Sequence, residues 1–193
     1  MNEPLEIVRL QVQREPLKQG GSPARAYDPT HLVAVPALEL GASGAHGVTA
    51  GGERIIDVHH RDHPRTRDAK GLAGVLVMAT GDYVALRKRY GDHLVDGIAG
   101  ESILVDHEPG LAERELPEVL YLQTSSGTVE LQQVRPADPC VEFSRFCLGR
   151  PPSKIVDQRI REMLIELDGG ARGYRAVAAG PATVRVGDTL LIA

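Results

Sequence analysis

Aromatic residues and cysteines are both scarce in this sequence. Tryptophan is absent and aromatic residues make up 4% of the chain, so the stacking platforms that bind single-stranded nucleic acids are not expected. Only two cysteines are present, which excludes a disulfide framework and disfavours a structural zinc site built from several thiolates. We therefore expect both cysteines to be free thiols.

The chain also lacks a strong charge of either sign and any long apolar run. Its formal net charge is -4, so no basic field predicts binding to nucleic acid or to an anionic membrane. No apolar stretch approaches the roughly 20 residues that cross a bilayer, and the acidic N-terminus lacks the pattern of a signal peptide. These features predict a cytoplasmic protein with no membrane or nucleic-acid partner.

Sequence motifs of several common enzyme classes are missing as well. The chain contains no Gly-x-Ser-x-Gly, no P-loop and no dinucleotide-binding fingerprint, so hydrolase, NTPase and Rossmann dehydrogenase functions have no support.

Short apolar segments separated by turn residues dominate what is present. We interpret residues 41–47 as a flexible connection, and we predict strands at residues 5–13, 31–35, 55–58, 72–79, 100–106, 118–123, 128–134, 172–178 and 182–186, after which the sequence ends on residues 189–193. Many short strands with turn signals between them are typical of a β-barrel. The segments before and after Gly127 predict a hairpin.

Only two segments have a convincing helical pattern, residues 80–91 and about 153–168. A parallel α/β sheet would need more crossover helices than these. The predicted fold is mainly β, a closed or partly closed β-barrel with a few peripheral helices, in one domain over residues 1–193.

Cys140 is the residue that most directly suggests chemistry. It follows Pro139, whose fixed φ restricts the chain just before the thiol. Taken alone, a free cysteine is most often an inert buried side chain, and this remains the interpretation of Cys147.

The order of motifs around Cys140 resembles the MOSC domain family, the C-terminal domain of molybdenum cofactor sulfurases, in its stand-alone bacterial form. The tail matches best, where the Gly-rich turn 169–173, strand 174–178, Gly180-Pro181 and Val186-Gly187-Asp188 correspond to the closing β-hairpin of the family. Asp138-Pro139-Cys140 matches its Pro-Cys element. The resemblance covers about residues 30–192 and implies a barrel like the β-barrel domain of pyruvate kinase.

The resemblance also implies a ligand and roles for particular residues. The ligand would be the molybdenum cofactor, a molybdopterin, with Cys140 as metal ligand or sulfur carrier. His59, in the Asp-x-His loop of the family, would lie near the cofactor or donate a proton to substrate. Residues expected to bind the cofactor are Arg172, Arg145, Gly170, Gly173 and Ser102, the last in the strand opening Gly100-Glu101-Ser102.

Charge and backbone chemistry support some of these assignments. A thiolate needs a positive field, which Arg135 and Arg145 on either side of Cys140 would provide. A cofactor phosphate needs cations, and further candidates are Arg61, Arg65, Arg67, Lys70 and Arg175. Solvated surface charge explains any one of these arginines equally well, and the glycines could equally end a helix or form a bulge.

Two functions follow from the resemblance, and a third from its gaps. The protein would reduce N-hydroxylated small molecules with an electron-donor protein as partner, or would carry sulfur on Cys140 with a cysteine desulfurase as partner. Alternatively it is a cofactor-free barrel that serves as a binding module, because Ser102, Ile56 and Arg61 depart from the family pattern. A zinc site at residues 59–63 is disfavoured because Pro64 opposes a helix there.

Overall fold

The computed structural model describes residues 3–66, 68, 70, 74–112 and 114–192. The helices are α1 (Thr80–Tyr90), α2 (Val141–Cys147) and α3 (Gln158–Glu166). The strands are β1 (Glu3–Gln13), β2 (Lys18–Gln19), β3 (Ala26–Tyr27), β4 (Leu32–Ala34), β5 (Ala37–Gly41), β6 (Gly44–Val48), β7 (Arg54–Ile56), β8 (Val75–Ala79), β9 (Ile103–Val105), β10 (Val119–Thr124), β11 (Gly127–Pro136), β12 (Tyr174–Ala178), β13 (Ala182–Arg185) and β14 (Thr189–Ile192).

Seven strands close into a barrel, in the order β1, β14, β10, β11, β12, β8 and β9, after which β9 pairs with β1 again. The last strand closes it, because β14 pairs antiparallel with both β1 and β10. Only β8 and β9 run parallel among these pairs, and α1 lies in the connection between them. The structure confirms the predicted mainly-β closed barrel, in which full closure leaves no exposed sheet edge.

A second sheet of four strands, in the order β13, β5, β6 and β7, packs on the barrel. Its buried side chains, including Leu38, Ile55 and Val184, belong to the same apolar cluster as the barrel interior. The flexible connection predicted at residues 41–47 is wrong, since most of these residues form the β5–β6 hairpin. Three glycines and two alanines gave that segment the composition of a loop, but burial against the barrel makes it a strand pair.

The closing hairpin predicted for residues 169–188 is also wrong. In the described pairings β12 lies between β11 and β8, whereas β13 crosses to the second sheet and pairs with β5. Gly180-Pro181 therefore marks a change of sheet, and two consecutive strands with a turn between them do not by themselves specify which edge the second strand joins.

Two differences concern the helices. The helix predicted from residue 153 begins at Gln158, because Asp157 is its N-cap and accepts a hydrogen bond from the Ile160 amide at 3.0 Å. α2 was not predicted, since seven residues are too few for a clear helical period. None of the helices in the described ranges is long and apolar enough to span a membrane.

Between the helices and the barrel lies a second apolar cluster, which includes Tyr83, Phe143 and Met163. A carboxyl group is buried at its edge: the Tyr83 hydroxyl donates a hydrogen bond of 2.6 Å to Glu101 Oε2, and Glu101 Oε1 has no partner among the described residues. Burial raises the pKa of Glu101 to about 7, against the lowering effect of the Tyr83 hydrogen bond.

Glu101→Gln should make stability less sensitive to pH. A carboxyl whose pKa is raised on folding stabilises the folded state fully only below its unfolded pKa of 4.5, and that contribution is lost as the pH rises through about 7. Between pH 4.5 and pH 8 the wild type should lose up to about 3 kcal/mol of unfolding free energy relative to Glu101→Gln. Urea unfolding at both pH values measures this. Glu53→Gln, at an exposed position, is the control. If the change in unfolding free energy between the two pH values were the same in Glu101→Gln as in Glu53→Gln, the prediction would be contradicted.

Candidate functional site

A cavity of about 390 Å³ brings Cys140 and His59 together. Its walls come from the end of β1 and the segment to β3, from described residues after β7, from Leu76 of β8 and Ala99, from the end of β11 and its connection to α2, and from Arg172 and Arg175 at the turn into β12. The polar lining residues are Gln13, Lys18, Tyr27, His59, Arg65, Asp68, Arg135, Asp138, Cys140, Arg172 and Arg175. Chain segments far apart in sequence therefore form one site.

Cys140 is the N-cap residue of α2. Its backbone is extended, with φ -139° and ψ 148°, and its carbonyl accepts hydrogen bonds from the Ser144 amide at 3.0 Å and the Ser144 hydroxyl at 2.9 Å. These bonds hold the half-buried thiol at the cavity wall. Cys147, at the other end of α2, is fully buried in the second apolar cluster, and burial raises its pKa to about 12. Only Cys140 is therefore placed to react.

Arg172 is the buried cation of the site. Its guanidinium lies 3.8 Å from the centre of the Phe143 ring on α2, a cation–π contact. Its Nε and Nη1 groups are buried and have no hydrogen-bond partner in the described part of the chain. Burial lowers the pKa of Arg172, whereas the neighbouring Cys140 and Tyr27 raise it. The net effect is a pKa above the usual value for arginine. Arg172 is thus the charged neighbour of the Cys140 sulfur.

Two more arginines face each other beside Arg172. Arg135 on β11 and Arg175 on β12 are directly opposite in the sheet, an arrangement of like charges that destabilises a strand pair. The pKa of Arg175 is lowered mainly by burial, and also by the positive charges of Arg172 and Arg135. The β11 register shifts just before Arg135, where Gln133 has a φ of 57°, and such bulges commonly re-aim side chains at functional sites. Asp68 and Asp138 offset part of this positive charge.

His59 is held by a buried carboxylate. Asp57 Oδ1 accepts hydrogen bonds from the His59 amide at 2.8 Å and from His59 Nδ1 at 2.9 Å, and Asp57 Oδ2 accepts one from the Gln13 amide at 2.7 Å. A proton on Nδ1 is thereby favoured, which leaves Nε2 to accept or deliver a proton. The loop that carries the pair is anchored to the last residue of β1.

The sequence profile of the MOSC domain matches residues 64–191, more than half of the chain. The chain belongs to the MOSC domain family. Among solved structures, the YuaD protein of Bacillus subtilis superposes with a TM-score of 0.58 at 12% identity, over 100% of this chain and 97% of that one. YiiM of Escherichia coli superposes with a TM-score of 0.54 at 13% identity, over 100% and 70%. Identities this low show a shared fold. No curated protein sequence matches the chain.

Not every residue that the MOSC resemblance suggested lies at the cavity. Arg145, expected to bind cofactor and to flank the thiol, is buried on α2 with Nη2 hydrogen-bonded to the Ile155 carbonyl, and it lines a separate smaller cavity. Ser102 links β8 to β1 through its backbone. Its amide donates a hydrogen bond to the Leu76 carbonyl at 2.8 Å, and its carbonyl accepts one from the Gln11 amide. Neither side chain contributes to the described lining of the Cys140 cavity.

Gly170 and Gly173 also have structural explanations. Both have positive φ, +95° and +83°. A Cβ on Gly170 would overlap the Tyr174 ring, and one on Gly173 would lie 2.5 Å from the Val77 carbonyl oxygen and 2.6 Å from Met78 Cγ. Gly173 allows the turn before β12 to approach β8, and Gly170 allows the same turn to lie against Tyr174. Arg172 lies between these two glycines.

Among the other basic candidates, Arg65 and Arg175 line the cavity, with Arg65 also paired to Glu15 at 2.9 Å. Arg61 and Lys70 are exposed and are not among the lining residues, and Arg67 lies outside the described residues. Sequence reasoning missed Lys18 and Tyr27, which carry no motif.

Gly173→Ala should destabilise the fold strongly. The added Cβ meets backbone and core atoms at a positive φ, so we expect a loss of about 2–4 kcal/mol of unfolding free energy. Gly180→Ala is the matched control, because nothing lies within 4 Å of a Cβ there. Chemical denaturation of both variants measures the difference, and similar stabilities would contradict the close approach.

Arg172→Met should slow alkylation of Cys140 by iodoacetamide at pH 7, because the reacting sulfur loses the guanidinium beside it. Arg172→Lys, which keeps the charge, should retain most of the rate. Arg185→Met, an exposed arginine on β13, serves as the control. Stopped-flow or mass-spectrometric labelling measures the rates, and equal rates in Arg172→Met and wild type would refute the assigned role.

Proposed function

We propose that this MOSC protein binds a molybdenum cofactor in the Cys140 cavity and reduces N-hydroxylated small molecules. The observation that carries the proposal is the buried Arg172 guanidinium beside Cys140, with two N–H groups unpartnered in the described structure. A desolvated cation with free donors is costly unless an anion occupies the site. An anionic ligand would accept hydrogen bonds from the free donors and also balance the charge.

The residues present fit a molybdopterin in three respects. Thiolate sulfur is a suitable ligand for a metal that is already held by sulfur, and Cys140 provides it. Arg172, Arg135 and Arg175 provide charge-assisted donors for a phosphate or a pterin oxygen. The cavity, about 390 Å³, is within the range of small-molecule sites. When bound, the cofactor would supply two-electron reduction of the substrate.

The protein's own groups have distinct roles in this proposal. Arg172 would place a cation beside the Cys140 sulfur that ligates the metal. Arg135 and Arg175 hold the anionic part of the ligand, and the strain of their opposition is relieved when it binds. His59 Nε2, oriented through Asp57, holds the proton that the substrate nitrogen or departing oxygen receives.

The overall reaction would be R–NHOH + 2 e⁻ + 2 H⁺ → R–NH₂ + H₂O. The nitrogen–oxygen bond breaks and the oxygen leaves as water. The two electrons would come from a separate electron-donor protein, the partner that the MOSC resemblance implies. We place this activity in the cytoplasm, in keeping with the composition of the chain.

A second function, sulfur transfer, is favoured by one observation: Cys140 reaches the cavity while Cys147 is buried. The Cys140 thiolate would attack the outer sulfur of a cysteine desulfurase persulfide, form a new S–S bond and release the desulfurase thiolate. The basic cavity would stabilise the resulting anionic persulfide. This function predicts a Cys140 persulfide and no bound metal.

The wild-type protein, purified from molybdenum-replete cells, should retain close to one molybdenum atom per chain. In Cys140→Ala the retained molybdenum should fall at least about tenfold. Cys147→Ala is the matched control, because it removes the other cysteine away from the cavity, and it should keep its metal. Elemental analysis and pterin fluorescence measure occupancy.

The alternatives give different results in the same experiment. A protein without metal whose intact mass is higher by one sulfur on Cys140 would support sulfur transfer instead. Absence of metal, pterin and persulfide would refute both functions and leave the cofactor-free binding module.

A further inference from the structure

A second, smaller cavity lies on the other side of Tyr27 from the Cys140 site. It has a volume of about 80 Å³ and is formed by the start of β3, by α2 and by the segment after α2. Its charged lining residues are Arg25, Glu142, Arg145 and Arg150. The proposed function uses none of these groups.

The lining carries an excess of positive charge. Glu142 is buried and pairs with Arg25 at 2.7 Å and with Lys18 at 3.7 Å. Burial alone would raise the pKa of Glu142, but a hydrogen bond to its backbone and the charges of Lys18 and Arg25 lower it overall, so it is ionised. Three guanidinium groups therefore line the cavity against one carboxylate, and Asp157, outside the lining, pairs with Arg150.

Two of these guanidinium groups have unsatisfied donors. The Nε atoms of Arg25 and Arg145 are buried, and neither has a hydrogen-bond partner within the described residues. Arg145 is 6% exposed and uses Nη2 on the Ile155 carbonyl. Two buried, charged N–H donors at one small cavity are costly unless an acceptor satisfies both. A water molecule would accept the hydrogen bonds but would not balance the charge.

We propose that this cavity is a binding subsite for a tetrahedral oxyanion of phosphate or sulfate size. Its volume accommodates a five-atom ion, and arginine forks are well suited to phosphate oxygens. Arg25 and Arg145 would each donate through Nε, and Arg150, which lies nearer the surface, would add charge at the entrance.

The oxyanion has two possible sources, because the two cavities are adjacent. Tyr27 lines both of them, and Lys18 lines the larger cavity while pairing with Glu142 of the smaller one. The ion is either free phosphate or sulfate, or the terminal phosphate of a ligand held in the Cys140 cavity. The subsite itself does not depend on which ligand, if any, the larger cavity binds.

Calorimetric titration of inorganic phosphate into the full-length protein, produced in cells unable to make the molybdenum cofactor, tests the proposal. The wild type should bind one phosphate with a submillimolar dissociation constant, and Arg145→Gln should weaken binding by at least about tenfold. Arg161→Gln is the matched control, because Arg161 also donates to a carbonyl of the same segment, that of Val156 at 2.8 Å, but lies outside the cavity.

Arg150→Gln is a second, milder variant in case Arg145→Gln unfolds, since Arg150 is half-exposed and pairs with Asp157 at 2.8 Å. It should weaken phosphate binding several-fold. Failure of the wild type to bind phosphate, or equal losses in Arg150→Gln and Arg161→Gln, would overturn the subsite.

The two sources are separated by repeating the titration on cofactor-loaded protein. Loss of phosphate binding there would assign the subsite to the terminal phosphate of the bound ligand, whereas unchanged binding would assign it to a free ion. Cys140→Ala should leave phosphate binding in the cofactor-free protein unchanged, so failure of the proposed function and failure of the subsite give different results.

Discussion

The pairing of β1 holds both the barrel and the site together. This single strand of eleven residues pairs with β14 at its start, with β9 in its middle and with β4 at its end. The β14 pairing closes the barrel, and the last β1 residue, Gln13, donates its amide to Asp57. Because Asp57 in turn orients His59, the position of a catalytic candidate depends on the same strand that closes the barrel.

The other side of the site depends on the junction of β11, α2 and β12. A bulge in β11 precedes Arg135, the chain then turns through Pro139 into α2, and α2 presents Cys140 at one end and the Phe143 ring to Arg172. The Ala137 amide bonds the Gly173 carbonyl at 2.9 Å, which links the thiol segment to the arginine segment. The thiol and its cation are therefore held by one set of backbone contacts, and this favours a functional over an inert Cys140.

Positive charge concentrated in an otherwise acidic protein is the main electrostatic feature. The chain has a net charge of -4, yet Arg172, Arg135 and Arg175 are grouped at one cavity and Arg25 and Arg145 at the next. Burial of like charges opposes folding, so their arrangement is best explained by anionic ligands that bind the folded protein and stabilise it.

The sequence predicted much of the local structure and some of the site. Strand positions, the hairpin around Gly127 and the barrel class followed from alternation and turn residues, and Cys140 and His59 followed from motif resemblance. The helix boundary at Asp157 was missed because the apolar period extends beyond the capped helix. Arg145 was expected beside the thiol from its spacing of five residues, but its place on α2 directs it to another cavity.

The sequence by itself determined the short strands, the closed-barrel class, the family and the choice of Cys140 as the candidate thiol, because these depend on local periodicity and on residues adjacent in the chain. Only the tertiary structure decided that β13 leaves the barrel for the second sheet, that residues 41–47 form a buried hairpin, and that Arg172 rather than Arg145 accompanies Cys140. These outcomes depend on contacts between segments distant in sequence, where burial and charge in three dimensions outweigh local preference.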